Sequence, residues 1–237
     1  MATVKRQTVS ASKPRVRIAK FHAVLIGDTS VYAKTSRKES VRCFFRQGDL
    51  SSGCGLYCVA TALSILGVAK ASAMEEAANR KYGIARDVFK ALEHSYFDGI
   101  SGTELYDALE ALDLPLQLTL RDAEEPSDIA ARRKVVRLTL TALHEGSLVM
   151  IAYRNERPFH QHWMLAVGVG GLQHGTRLTQ DTIYVLDPGD ETIPLAVYNA
   201  VLRRDDSELR REQWLVQARN GSVSRATLIS AIRFDAI

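Results

Sequence analysis

The stretch Gln47-Gly-Asp-Leu-Ser-Ser-Gly-Cys54-Gly-Leu-Tyr-Cys58-Val-Ala-Thr-Ala-Leu63 decides the fold, because a Gly-rich turn in it leads directly into an apolar run. That run predicts a helix from about Cys54 to Leu66, closed by Gly67 in the C-cap position. The first turn of a helix carries unpaired N–H groups and the positive end of the helix dipole, which favour a thiolate over a thiol. Since the thiolate is the nucleophilic form, Cys54 is the predicted nucleophile for attack on a carbonyl carbon.

Outward from this helix, the spacing of apolar residues predicts an α+β fold. The first half is predicted to be largely helical, with helices over 73–82, 86–94, 103–112 and 127–144, the last with Ser127 as its N-cap. Strands are predicted in both halves, at 17–25, 30–33, 114–120, 147–153, 163–169, 182–186 and 227–234. Gly27 and Asp28 are the expected turn between the first two strands, and a charged helix is expected at 206–217.

Length and composition are those of one globular domain. Of the 237 residues, 46% are hydrophobic and 24% are charged. We expect a flexible basic arm over 1–20 and a single domain over 21–237, with a core at about 44–190 and an extension at 195–237. The arm contains six cations and no acid: Lys5, Arg6, Lys13, Arg15, Arg17 and Lys20. Contact with nucleic acid is expected at most through this arm.

The cysteine content and the short apolar runs indicate the compartment. Three cysteines in a chain of this length do not form a disulfide framework, and Cys43 and Cys58 are expected to be buried apolar residues. No apolar segment is long enough to cross a bilayer, and the first residues lack the apolar stretch of a secretory signal. We therefore expect a cytoplasmic protein with no membrane span and no cofactor.

Three further residues complete a candidate catalytic set. Gln47 lies seven residues before Cys54, where its side-chain N–H could stabilise the oxyanion formed by attack on a carbonyl. His162 begins an apolar strand, which would present it as a fixed base. Asp187 ends the next strand, where its carboxylate could orient the imidazole, although Asp187-Pro188-Gly189 is also good turn chemistry.

These motifs resemble the papain-like cysteine peptidases, and in particular the family that trims double-glycine leaders from bacteriocin precursors. The resemblance covers about 44–190 and rests on Gln47, Cys54-Gly-Leu-Tyr-Cys58, His162-Trp-Met-Leu-Ala-Val-Gly, Val185-Leu-Asp-Pro188 and the turn Gly99-Ile-Ser-Gly-Thr before a helix. It implies a helical first half packed on an antiparallel sheet from the second half. It also implies that Cys54 is the nucleophile, His162 the base, Asp187 the orienting carboxylate and Gln47 the oxyanion donor. The implied substrate is a peptide or protein cut at a peptide or isopeptide bond after small residues such as Gly-Gly.

Other functions fit the same residues. An acyl transferase would pass the thioester to an amine instead of water, and a binding protein of the same fold would hold a peptide without cutting it. A structural zinc site is a minor alternative, in which Cys54, Cys58, His160 and His162 would supply two thiolates and two imidazoles. The substrate, the partner that supplies it and the oligomeric state are left open by the sequence.

Overall fold

The computed structural model describes residues 16–22, 25–26, 30–34, 40–48, 51–123, 125, 127–155, 160–174, 177–205 and 213–237. Its strands are β1 (Val16–Phe21), β2 (Leu25–Ile26), β3 (Val31–Lys34), β4 (Ser40–Arg42), β5 (Leu116–Asp122), β6 (Leu148–Asn155), β7 (His160–His174), β8 (Arg177–Leu186), β9 (Ala200–Arg204), β10 (Trp214–Gln217) and β11 (Val223–Ala236). Its helices are α1 (Cys54–Ile65), α2 (Ala71–Glu75), α3 (Ile84–Leu92), α4 (Ser95–Asp98), α5 (Gly102–Glu110) and α6 (Ile129–Glu145), with a 3-10 turn at Ala77–Asn79.

An antiparallel sheet of eight described strands dominates the molecule. Six of them close into a ring in the order β7, β6, β11, β10, β9, β8 and back to β7. The ring can close because β7 and β11 are long enough to pair with two neighbours along one edge. One edge of β7 pairs first with β6 and then with β1, and one edge of β11 pairs first with β10 and then with β5. This mixture of helices with a barrel-like sheet agrees with the predicted α+β class.

The two faces of the sheet are covered by different helices. Along β6, Leu148 and Met150 belong to a core cluster with α1, α3 and α5, whereas Val149 and Ile151 belong to a cluster with α6. A strand alternates its side chains between two faces, so burial on both sides makes β6 apolar throughout. No helix among the described residues is long and apolar enough to cross a membrane.

Helix α1 is buried along nearly its whole length, which explains why its sequence is apolar on every side. It packs against β7 of the sheet. Leu66 is the C-cap, and Gly67 follows with φ of +72°, a left-handed conformation that glycine adopts without strain. The packing of α1 on β7 brings the start of the helix to the start of the strand, and this contact builds the site described below.

Several boundaries differ from the sequence-based expectations. The end of the basic arm, from residue 16, belongs to β1, because it pairs with Gly168–Gln173 of β7. Arg17 also forms an ion pair with Asp181 at 2.9 Å. Residues 1–15 and the expected turn at Gly27 and Asp28 lie outside the described residues. β2, β3 and β4 form a separate three-stranded sheet, so the expected first strand to residue 25 is divided.

The expected helix at 206–217 is wrong where the structure describes it. Trp214–Gln217 is β10, whose alternate residues Trp214 and Val216 are buried as the strand pairs with β9 and β11. The N-cap of α6 is Asp128 instead of Ser127, since the Asp128 side chain accepts from Ala131 N at 2.8 Å. In place of the single helix predicted at 73–82, the structure has two short elements, α2 and the 3-10 turn at Ala77–Asn79.

Candidate active site

Cys54 is the first residue of α1 and follows Gly53, which is the N-cap. Its N–H therefore has no acceptor within the helix. Trp163 N in β7 donates to Cys54 Sγ at 3.5 Å, so the sulfur is held against the start of the strand. The residue is 8% exposed and lines a cleft, which leaves the sulfur accessible from one side.

His162 precedes Trp163 in β7 and lies between Cys54 and Asp187. Its Nε2 is 2.7 Å from Asp187 Oδ1, and its side chain also forms a hydrogen bond with the Cys54 side chain. Because the ring has two nitrogens, Nδ1 is left to face the sulfur. The Tyr153 ring, opposite in β6, meets the imidazole edge-on at a centroid distance of 5.8 Å and fixes its plane. The structure thus brings three of the predicted site residues into one chain of contacts.

The charges of these side chains stabilise one another. Burial alone would raise the pKa of the Cys54 thiol, but the hydrogen bond and positive charge of His162, with N–H groups of Trp163 and Gly55, lower it. Burial alone would lower the pKa of His162, but hydrogen bonds to Asp187 and Cys54 raise it to about 10. Both shifts favour the charged forms, a thiolate next to an imidazolium, which is the reactive form of a nucleophilic cysteine.

The Asp187 carboxylate is fixed by the loop that follows β8. Asp187 Oδ1 also accepts from Gly189 N at 2.8 Å. Asn199, which is 1% exposed, accepts from Asp187 N at 2.6 Å through Oδ1 and donates to Asp187 O at 2.8 Å through Nδ2. The loop thus holds the carboxylate at one position relative to the imidazole, as an orienting group requires.

Gln47 lies at the same end of the cleft. Its backbone N donates to Pro188 O at 2.7 Å, and its side-chain Nε2 donates to Ser51 O. An amide nitrogen carries two N–H groups, so one is left for another acceptor. Gln47 Oε1 is buried without a partner among the described residues. Gln47, Cys54 and His162 all line the same cleft.

The cleft has a volume of about 1130 Å³ and runs between the sheet and the segment from α4 to α5. Its length beyond the site is lined by Asp98, Ile100, Gly102, Glu104, Asp122, Ala152, Arg154 and Ser230. Ser101 begins α5 with a capping box, in which Glu104 N donates to Ser101 Oγ at 3.3 Å and Ser101 N donates to Glu104 Oε2 at 3.0 Å. A groove of this size can hold an extended peptide segment.

The residues of the zinc alternative are arranged differently. Cys58 is fully buried and its Sγ donates to Trp163 O at 3.5 Å. Burial, together with the negative charges of Cys54 and Asp187, raises the pKa of Cys58, which opposes the thiolate that zinc requires. The side chain of His160 lies outside the described residues. Among the side chains that are described, no three His, Cys, Asp or Glu residues are grouped closely enough to hold a metal ion.

Sequence reasoning missed two contributors to the site. Asn199 is a single polar residue before β9 and carries no motif of its own, so only the folded loop shows that it fixes Asp187. Trp163 belongs to the apolar strand, yet its backbone contacts both Cys54 and Cys58, and its ring Nε1 donates to Ile100 O at 3.0 Å. The position of Trp163 directly after His162 was the one signal in the sequence that could have indicated its contacts at the site.

No family model matches the sequence, and a search of the curated proteins finds no match either. The functional conclusion therefore depends on the residues of the site and their geometry.

Proposed function

We propose that this protein is a cysteine peptidase of papain-like fold that hydrolyses a peptide or isopeptide bond. The observation that carries the proposal is the position of His162, which hydrogen-bonds Asp187 on one side and the Cys54 side chain on the other, at the edge of a long cleft. A base held by a carboxylate and facing a nucleophile is the arrangement on which covalent acyl-transfer catalysis depends.

The residues divide the reaction into two steps. The Cys54 thiolate attacks the carbonyl carbon of the substrate, and the His162 imidazolium then protonates the leaving amine, so that the C–N bond breaks and a thioester forms. Neutral His162 next takes a proton from water, which attacks the thioester, releases the acid and restores the thiolate. Asp187 keeps the imidazole in the orientation that both transfers need.

The oxyanion donors are proposed to be the Cys54 N–H and the side-chain amide of Gln47. Cys54 N–H is at the start of α1, where no helical acceptor exists. Gln47 is placed by its backbone bond to Pro188 and has a second side-chain N–H in addition to the one given to Ser51 O. Loss of one such donor typically costs about 3 kcal/mol of transition-state stabilisation.

The proposed fold is supported by the way two parts of the chain meet. Helix α1 carries the nucleophile and packs on an antiparallel, barrel-like sheet that carries His162 and, just after β8, Asp187. Gly55 lets α1 pack closely against the segment between α4 and α5, because a Cβ there would lie 2.9 Å from Ile100 Cγ2. The cleft follows this junction between helix and sheet.

The test is covalent capture with a peptide vinyl methyl ester, followed by peptide mapping of the adduct. We expect one adduct, on Cys54, and none on Cys58 or Cys43. The same protein should also cleave peptides in which the scissile bond follows Gly-Gly, and mass spectrometry should show products with a free C-terminal carboxylate. Amide products formed in the presence of an added amine would instead indicate a transferase. An adduct on Cys58, or capture of Cys54 with no turnover of any peptide, would contradict the proposal.

A further inference from the structure

The far end of the cleft is built from one transverse row of the sheet. Trp163 of β7 is directly opposite Ala152 of β6, Ala152 is opposite Ser230 of β11, and Ser230 is opposite Asp122 of β5. All four residues line the cleft. The row therefore leads from the strand that holds the Cys54 sulfur, across two further strands, to a carboxylate.

Ser230 is the buried hydroxyl side chain of this row. It is 2% exposed, and its Oγ has no hydrogen-bond partner among the described residues. A Cβ on Gly102 at the start of α5 would overlap the Ser230 hydroxyl and lie 2.9 Å from Asp122 Oδ2. Ser230 Oγ and Asp122 Oδ2 thus lie directly beside the Gly102 backbone at the start of α5, where a larger residue would displace them. A buried hydroxyl without a partner is costly unless something binds it.

Asp122 retains capacity to accept hydrogen bonds. Its Oδ1 accepts from Ala123 N at 2.8 Å and its Oδ2 from Thr103 Oγ1 at 3.2 Å, whereas an ionised carboxylate has about four accepting positions. Asp98 and Glu104 add two more carboxylates to the lining of the cleft. Among the described lining residues, Arg154 is the cation with a permanent charge. Its guanidinium faces Gln161, whose amide oxygen, in the orientation that satisfies both side chains, accepts from Arg154 Nη2 at 2.8 Å. The lining also contains two histidines, His94 and His162.

The spacing of the strands gives the distance between the two ends. Neighbouring strands lie about 4.8 Å apart, so three spacings from β7 to β5 cover about 14 Å. An extended peptide advances about 3.3 Å per residue, so a peptide laid along the row reaches Asp122 about four residues from the bond at Cys54.

We propose that this end of the cleft is a subsite for a Lys or Arg side chain of the substrate, about four residues from the scissile bond. The subsite rests on the proposed peptidase function and adds a substrate class to it. Asp122 provides the negative charge at this end, Asp98 adds a second carboxylate to the lining of the cleft, and Ser230 Oγ accepts from the bound cation. A charged donor gains most from such acceptors because charge-assisted hydrogen bonds are stronger than neutral ones.

The experiment measures how fast peptide electrophiles modify Cys54 in the full-length protein, by intact mass. One series carries a vinyl methyl ester at its C-terminus, and a second carries a chloroacetyl group at its N-terminus. The two series therefore place the peptide on opposite sides of the position of the scissile bond. In each series a single Arg is moved one residue at a time away from the electrophile and is compared with citrulline, its neutral isostere. We expect Arg to react about tenfold faster than citrulline in one series, with the maximum about four residues from the electrophile.

Matched variants identify the residues responsible. Asp122→Asn should remove most of the preference for Arg, and Asp98→Asn, which changes a carboxylate with no structural hydrogen bond among those described, should remove part of it. Asp107→Asn on α5 makes the same charge change outside the cleft and should leave the preference intact. Ser230→Ala should reduce the rate with the Arg probe without lowering the melting temperature, since its hydroxyl has no partner to lose.

The subsite is disproved if Arg and citrulline react equally at every position in both series. It is also disproved if the preference is unchanged in both Asp122→Asn and Asp98→Asn, or is largest next to the electrophile. Iodoacetamide separates these results from failure of the peptidase proposal. If Cys54 reacts with iodoacetamide no faster than an ordinary thiol, the peptidase proposal fails; if it reacts fast but without a preference for Arg, the subsite alone fails.

Discussion

Cys54 and Cys58 lie one turn apart on α1 and both contact the backbone of Trp163, yet their thiols have opposite character. Trp163 N donates to Cys54 Sγ, whereas Cys58 Sγ donates to Trp163 O. The pKa of Cys54 is lowered because His162 outweighs burial, and the pKa of Cys58 is raised by burial and by the nearby negative charges. The contrast shows that a neighbouring imidazole lowers the pKa of one thiol, while burial raises the pKa of the other one turn away.

The largest effect is expected when the Cys54 thiol is removed and Cys58 is kept. Cys54→Ala should lower turnover by about 10⁶-fold, since removal of a nucleophile leaves only binding and oxyanion stabilisation. Cys58→Ala, the matched control one turn along the helix, should retain turnover and iodoacetamide labelling. Intact-mass labelling and cleavage assays on both variants measure this. If Cys58→Ala is the inactive variant and Cys54→Ala is active, the nucleophile has been assigned wrongly.

Removing the imidazole should make the two cysteines alike. In His162→Ala the cation that lowers the pKa of Cys54 is lost while burial remains, so this pKa should rise. At pH 7 alkylation of Cys54 should then slow by about 100-fold or more, because only a small fraction of the thiol is ionised. The rate of iodoacetamide modification against pH gives the midpoint, and an unshifted midpoint would mean that the helix N-terminus alone ionises Cys54.

The pairing of Cys54 with His162 predicts that alkylation and turnover respond differently to high pH. As pH falls through the lowered pKa of Cys54, the thiolate is protonated and both rates decline. As pH rises through about 10, His162 loses its proton, so turnover declines for lack of a general acid while alkylation of the persisting thiolate does not. Parallel alkaline declines of the two rates would contradict this assignment.

Loss of the orienting groups should have a smaller effect than loss of His162. Asp187→Ala should slow turnover less than His162→Ala does, because the edge-on Tyr153 ring still restrains the imidazole. Asn199→Ala should slow turnover by about tenfold, since the backbone of Asp187 loses both of its amide contacts. Asn220→Ala, in the turn between β10 and β11, is the control and should keep full activity. A loss in Asp187→Ala as large as in His162→Ala would indicate that Asp187 maintains the structure.

The smallest predicted effect concerns packing next to Cys54. Gly55→Ala places a Cβ 2.9 Å from Ile100 Cγ2 and 3.5 Å from Trp163 Cδ1, which should lower the free energy of unfolding by about 1 to 3 kcal/mol. Gly48→Ala is the control, because nothing lies within 4 Å of the added Cβ. Urea denaturation of both variants measures the difference. Equal stabilities would mean that Ile100 can shift to admit the methyl group.

Local signals in the sequence were sufficient to predict the helix at Cys54, since a Gly-rich turn, an apolar run and Gly67 mark its beginning and end. They were not sufficient for the pairing of distant strands. Trp214–Gln217 follows a charged stretch and was predicted as helix, but its pairing with β9 and β11 makes it a strand and closes the ring. Asn199 contacts Asp187 only through the folded loop after β8, and Ser230 lies opposite Asp122 only through the pairing of β11 with β5, so no local pattern reveals either contact.

The backbone bond from Gln47 N to Pro188 O connects two segments that the chain separates widely. One peptide group thereby sets the position of both the Gln47 amide and the loop after Asp187. In the proposed mechanism, a natural insertion or deletion in that loop would alter proton transfer and carbonyl polarisation together, and a single compensating change could restore both. Variation in loop length among related chains should therefore be accompanied by changes near residue 47.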